Sequence, residues 1–161
     1  MKASILLIGG GGHCRACVDV LEQEGRFQIA GVVERNGGPR EAVLGYPVLG
    51  TDEDFSQLRE KYEFALVTVG QIKSATPRKR LYAQLLALGF QLPVVVSPRS
   101  YVSPHAKLGS GTIVMHDVLV NAGAQIGENC ILNSKSLIEH DAGVGDHCHI
   151  STGSILNGDT Q

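Results

Sequence analysis

The chain's 161 residues allow one ordinary domain or two small ones, and a 43% hydrophobic fraction can fill a core. A formal net charge of −2 excludes the basic face that nucleic acid requires and the polybasic stretch of a membrane-surface protein. Twenty glycines and no tryptophan point to many tight turns and close backbone approaches.

The opening MKASILLIGGGG sets Lys2 before a short apolar run that ends in glycines. That run is too short for a signal-peptide core or a membrane span, so it reads as a buried first strand over residues 4–8 of a cytoplasmic protein. Cys14, Cys17, Cys130 and Cys148 suit that reducing compartment as free thiols. Cys14 and Cys17 have a redox spacing, but they follow a glycine loop instead of a thioredoxin-like context.

The loop is Gly9-Gly10-Gly11-Gly12-His13, between the first strand and a helix expected over 15–23. Such a turn lets backbone N–H groups approach phosphate oxygens, with the helix N-terminus adding favourable partial charge. A dinucleotide fingerprint needs glycine at position 14, where Cys14 stands, so NAD is disfavoured. A turn required only for packing is the plainer alternative. Strands are expected over 29–33, 64–69 and 92–96, with helices over 52–61 and 77–88. Strands alternating with helices define a doubly wound parallel sheet, here a Rossmann-like domain over residues 1–96.

After Ser97-Pro98 the period changes. Stepping by six from Val102 meets Leu108, Val114, Val120, Ile126, Leu132, Ile138, Val144, Ile150 and Leu156, all aliphatic. The same step from Ala106 meets only small or medium residues. Gly109, Gly127 and Gly145 recur every eighteen residues, three hexads, so one solenoid turn has three faces with a glycine stacked at one corner. A positive φ at that corner is the expected reason for glycine. The aliphatic column points inward and forms the core, and coils are stable only when stacked.

These hexads resemble the left-handed parallel β-helix of hexapeptide acyltransferases, here over 97–161. With Ile8 and the glycine loop in front and Ile138-Glu139-His140-Asp141 behind, the whole chain resembles the NeuD/PglD-like sugar O/N-acyltransferases. The left hand is implied by the resemblance, since general rules favour right-handed crossovers. The resemblance implies an acetyl-CoA-dependent N-acetyltransferase acting on a UDP-4-amino-6-deoxy sugar in bacterial surface glycan or glycoprotein synthesis. It also implies a homotrimer with active sites between neighbours. Alternatives are an O-acetyltransferase for a sialic acid-type sugar, and a nucleotide-sugar-binding trimer with little catalysis. Gly10, Gly11, Gly12 and His13 would hold the UDP-sugar pyrophosphate, Glu34 the uridine, and Gly70-Gln71 would face the nucleotide. Glu34 also reads as a solvated acid at a strand end.

A neutral imidazole suits the removal of a proton from an attacking amine near neutral pH. His140 matches the family's catalytic base, with Asp141 orienting it and Glu139 a second candidate. Asn133 and His149 match positions lining the acetyl-CoA and acceptor pocket. The repeat frame turns both His140 and His149 outward, so the core requires neither; a solvated surface histidine is the alternative for each. His105, His116 and His147 read as surface residues. No close histidine pair suits an intersubunit zinc site of the gamma-class carbonic anhydrase kind, so no metal is expected. Family members continue for several coils beyond the hexad ending at Gln161. The expectation is therefore a C-terminally truncated chain, weakly active or inactive for want of part of the coenzyme A groove.

Overall fold

A computed structural model of the chain describes residues 2–35 and 42–161. It consists of two units, Met1–Pro93 and Val94–Gln161, so the division falls before Val94 instead of after Val96.

In the first unit β1 (Ala3–Ile8) leads through α1 (Gly12–Glu24) to β2 (Phe27–Val33). The hairpin of β3 (Ala42–Val43) and β4 (Tyr46–Gly50) follows, then α2 (Phe55–Lys61), β5 (Phe64–Val67) and α3 (Thr76–Ala87). The sheet order is β3-β4-β2-β1-β5, parallel except for β3 against β4. Ile5 to Ile8 are all buried, as expected of a central parallel strand covered on both faces. α1 buries Cys14, Cys17, Val18 and Leu21 at helical spacing. It stops at Gly25, whose φ of 72° lets its N–H reach the Leu21 carbonyl at 3.0 Å.

Three expectations need correction here. The helix expected over 52–61 begins as a single 3-10 turn, Asp52–Asp54, held by a capping box between Thr51 and Asp54. The β3–β4 hairpin adds strands where none is expected, since β3 has only two residues and Pro47 sits inside β4. No strand of this sheet forms over 92–96. Val95–Val96 pairs in parallel with Ile113–Val114 of the second unit, while Gln91 alone bridges Phe64. The reason lies in the six-residue frame, since Val96 stands one step before Val102 and packs against the same core column.

Among the described residues, the second unit contains eleven two-residue strands, spaced six residues apart from Val95–Val96 to Ile155–Leu156. They stack in parallel into three sheets of four, three and four strands. The inward column Val114, Val120, Ile126, Leu132, Ile138 and Val144 is buried, as are Val118, Ala124, Cys130 and Ala142 of the second column. At ~1.5–3 kcal/mol per buried aliphatic side chain, the first column is the main source of cohesion.

The corners differ from expectation. Gly109, Gly127 and Gly145 are not in the left-handed region. The left-handed corners recur every six residues at Gly111, Asp117, Gly123, Asn129, Lys135, Asp141, His147, Gly153 and Asp159, mostly the residue types that tolerate it. Gly109 and Gly127 are glycine because the next coil lies against them. A Cβ at Gly109 would stand 2.5 Å from the Glu128 nitrogen, and one at Gly127 2.6 Å from the Asp146 nitrogen. Gly127→Ala is therefore expected to force two coils apart and lower stability by about 1–3 kcal/mol, read as a fall in Tm. An unchanged Tm would show that the coils yield without cost.

Candidate active site

The glycine loop leaves β1 at the carboxyl ends of the strands, where open α/β sheets bind their ligands. Gly9 has a φ of 108°, its N–H reaches the Val33 carbonyl at 2.8 Å, and its carbonyl accepts from the buried Thr68 hydroxyl at 2.7 Å. A Cβ on Gly9 would overlap Val69, and one on Gly10 would overlap the Glu34 carboxylate. Among the described residues nothing lies within 4 Å of a Cβ built on Gly11 or Gly12. Backbone angle and Val69 thus explain Gly9, at Gly10 it is the end of the Glu34 side chain that would have to move, and Gly11 and Gly12 are left unexplained.

Gly9, Gly10, Gly11, Glu34 and Gly70 line a cavity of about 370 Å³, within the usual range for small-molecule sites. His13 packs beside Gly70, 3.4 Å from where its Cβ would be; Gly12, His13 and Gln71 stand next to the cavity's lining residues in sequence. The sequence reading missed Arg35, Asp52 and Arg80, which line the same cavity and an adjoining one of about 640 Å³. Arg80 donates to Asp52 at 2.9 Å. It also missed Arg78, fully buried in α3 and donating to the carbonyls of Val67 and Val69 at 2.9 and 2.7 Å, which ties α3 to the end of β5. Nothing in a helical pattern marks an arginine as buried. A shallower groove of about 730 Å³, lined by Lys2, Phe27 and Tyr46 among others, lies at the opposite ends of the strands and holds none of the candidate groups.

In the second unit, His140 and Asp141 follow the strand Leu137–Ile138 at a coil corner, with side chains 63% and 64% exposed. His140 Nδ1 stands 3.0 Å from Asp141 Oδ2. A carboxylate at that distance selects the tautomer with the proton on Nδ1 and leaves a lone pair on Nε2. Glu139 is turned away from the ring; its carboxylate accepts from Asn121 Nδ2 at 2.9 Å and from the His140 N–H at 3.4 Å. The His140 pKa is raised above its ordinary value by the bond to Asp141, with the charges of Asp141, Glu139 and Asp159 adding. The eighteen-residue period could have located Asn121 and Asp159, which stack on Glu139 and Asp141.

These carboxylates stabilise the imidazolium, so Asp141→Asn should lower the His140 pKa toward about 6.5. The titration of the ring's Cε1–H resonance by NMR reads this directly. An unmoved pKa would transfer the effect to Glu139 and Asp159.

Asn133 Nδ2 lies 3.2 Å from His149 Nε2, so the structure joins these two as well. It does not join them to His140. Asn133 leaves the sheet of Ile131–Leu132 and His149–Ile150, whereas His140 leaves the next face, after Leu137–Ile138. The two groups occupy different corners of one prism.

The two cysteines of α1 are buried thiols, and burial pushes the Cys17 thiol far up, which is contrary to a redox motif. Among the described residues, no group of three or more His, Cys, Asp or Glu is gathered as a metal would need. No helix among them is long and apolar enough to cross a membrane.

A doubly wound domain is followed by a hexapeptide prism that carries an outward histidine–carboxylate pair. The sequence profile of the PglD N-terminal domain matches residues 4–85. The acetyltransferase domain of PglB from Neisseria gonorrhoeae FA1090, solved with acetyl coenzyme A, is 30% identical, with a TM-score of 0.87 over 98% of this chain and 75% of that one. A histidine-to-alanine variant of GDP-perosamine N-acetyltransferase from Caulobacter crescentus, solved with CoA and GDP-perosamine, is 33% identical. Its TM-score is 0.90 over 98% of this chain and 73% of its own. WeeI from Acinetobacter baumannii AYE, at 19% identity and a TM-score of 0.77, shares the fold. No curated protein matches the chain. The chain belongs to the NeuD/PglD-like sugar acyltransferase family, with its Rossmann-like domain and left-handed β-helix.

Proposed function

We propose that this chain transfers the acetyl group of acetyl-CoA to the amine of a nucleotide-linked 4-amino-6-deoxy sugar, with His140 as general base. One observation carries the reading. His140 stands outside the core with Nδ1 held by Asp141, so that Nε2 is left to accept a proton. As the sugar nitrogen bonds to the thioester carbonyl carbon, His140 takes the proton that the nitrogen sheds. The C–S bond breaks and coenzyme A leaves as its thiolate, which a proton then neutralises. Asp141 stabilises the imidazolium formed on the way.

The nucleotide belongs to the cavity at Gly10, Gly11, Glu34 and Gly70, with Gly12, His13 and Gln71 beside it. Backbone N–H groups and the start of α1 suit a pyrophosphate there. UDP is the nucleotide that the family resemblance implies. GDP is the second reading, favoured by the match to an enzyme solved with GDP-perosamine. Asn133 and His149 serve the acetyl-CoA and acceptor pocket. Their separation from His140 on one prism supports a homotrimer, in which one subunit's His140 corner faces a neighbour's Asn133–His149 corner.

The test is acetyl transfer from acetyl-CoA to a panel of UDP- and GDP-linked amino sugars, with sialic acids included as hydroxyl acceptors. Transfer to a 4-amino sugar supports the proposal, and the preferred partner identifies the nucleotide. Transfer to hydroxyls alone would replace it with O-acetylation.

A further inference from the structure

We infer that Gly158 is a positioning residue for His140: the side chain it lacks is the space in which Nε2 works. The inference rests on the reading of His140 as the base. Gly158 lies one coil beyond His140, in a register fixed by Ile138 opposite Leu156 and by the Asp159 N–H donating to the His140 carbonyl at 3.0 Å. A Cβ built on Gly158 would stand 2.7 Å from His140 Nε2, 2.8 Å from Cε1 and 3.2 Å from Cδ2. The imidazole therefore lies over the bare α-carbon, with its proton-accepting nitrogen nearest.

The glycine is not needed for the turn. Gly158 is not in the left-handed region; the left-handed corner of its hexad is Asp159, with a φ of 58°. Nor does it spare the backbone of an adjacent coil, as Gly109 and Gly127 do. What it spares is one exposed side chain, which in a merely structural setting would turn aside at little cost. Here a ring that turns away from residue 158 moves Nδ1 relative to the Asp141 carboxylate, with which it makes a 3.0 Å contact. An alanine at 158 leaves two outcomes. Either the ring swings and loses the carboxylate that sets its tautomer, or it stays with a methyl group pressed on Nε2, where the acceptor amine must arrive. Both remove the base from its task.

The experiment compares the parent chain, Gly158→Ala, His140→Ala and the double variant. Each is assayed with acetyl-CoA and GDP-perosamine or its UDP-linked counterpart, whichever the parent acetylates, and each is examined for fold by circular dichroism. Gly158→Ala is expected to fold, because its backbone angles suit alanine, and to lose kcat on the order of 10²-fold, as a misplaced catalytic group does. KM for the nucleotide-sugar should hold within about twofold, and the His140 Cε1–H resonance should move. In the His140→Ala background, the same change at 158 should alter turnover by no more than about twofold, since a residue that acts through His140 has nothing left to act on. Full kcat in Gly158→Ala beside a large loss in His140→Ala overturns the inference and leaves the base intact. An equal loss from Gly158→Ala in both backgrounds, or a failure to fold, assigns the glycine to structure and also overturns it. Full turnover in His140→Ala removes the base assignment and this inference with it.

Discussion

In a version extended by the C-terminal coils of a family member, His140→Ala is expected to lower kcat by roughly 10²–10⁴, the usual contribution of a positioned general base. The loss should fall on kcat with the nucleotide-sugar affinity unchanged, because the nucleotide is assigned to the first unit. Stability should stay close to the parent's, since the ring is mostly exposed and its bond is to its neighbour's carboxylate. Steady-state kinetics, calorimetry with UDP or GDP and a thermal melt separate these effects. Undiminished kcat would take His140 out of the mechanism and make His149, paired with Asn133, the next residue to test.

Gly11→Val is expected to weaken nucleotide binding on the order of 10²-fold or more while leaving the fold in place. Gly11 is the N-cap of α1, with φ −72° and ψ −167°, angles that valine also adopts. Gly11 lines the cavity, and among the described residues no atom lies within 4 Å of a Cβ built there. The stability cost is that of a poorer N-cap, about 1 kcal/mol or less. Calorimetry with UDP and with GDP reads the binding, and a melt reads the fold. Binding equal to the parent's would make Gly11 a residue of the turn alone. Gly10→Val is a poor substitute, because its Cβ overlaps Glu34 and the result would confound packing with binding.

The prism was legible from the sequence because its core repeats. Inward residues six apart must be aliphatic or small wherever they occur, so the chain states its own frame, and His140 falls outside that frame on sight. Strand, loop and helix at the start of the chain were legible for a similar reason: an apolar run that ends in glycines has few ways to fold. Other features arise between residues distant in sequence, and no local pattern carries them. Val95 and Val96 look like the last strand of the first unit until the coil that pairs with them is known. Gly109 and Gly127 look like turn glycines, yet it is the backbone of the next coil that forbids them a side chain. The four loop glycines are alike as letters. Only the positions of Val69 and Glu34 separate the two that a Cβ would crowd from the two that leave space. The sequence also offered both Asp141 and Glu139 as partners for His140. The fold decides between them, because Asn121, one coil away, holds the Glu139 carboxylate and leaves Asp141 to the ring. Periodicity is a property of the chain and can be read along it, whereas steric exclusion and competition for a hydrogen bond exist only once the coils are stacked.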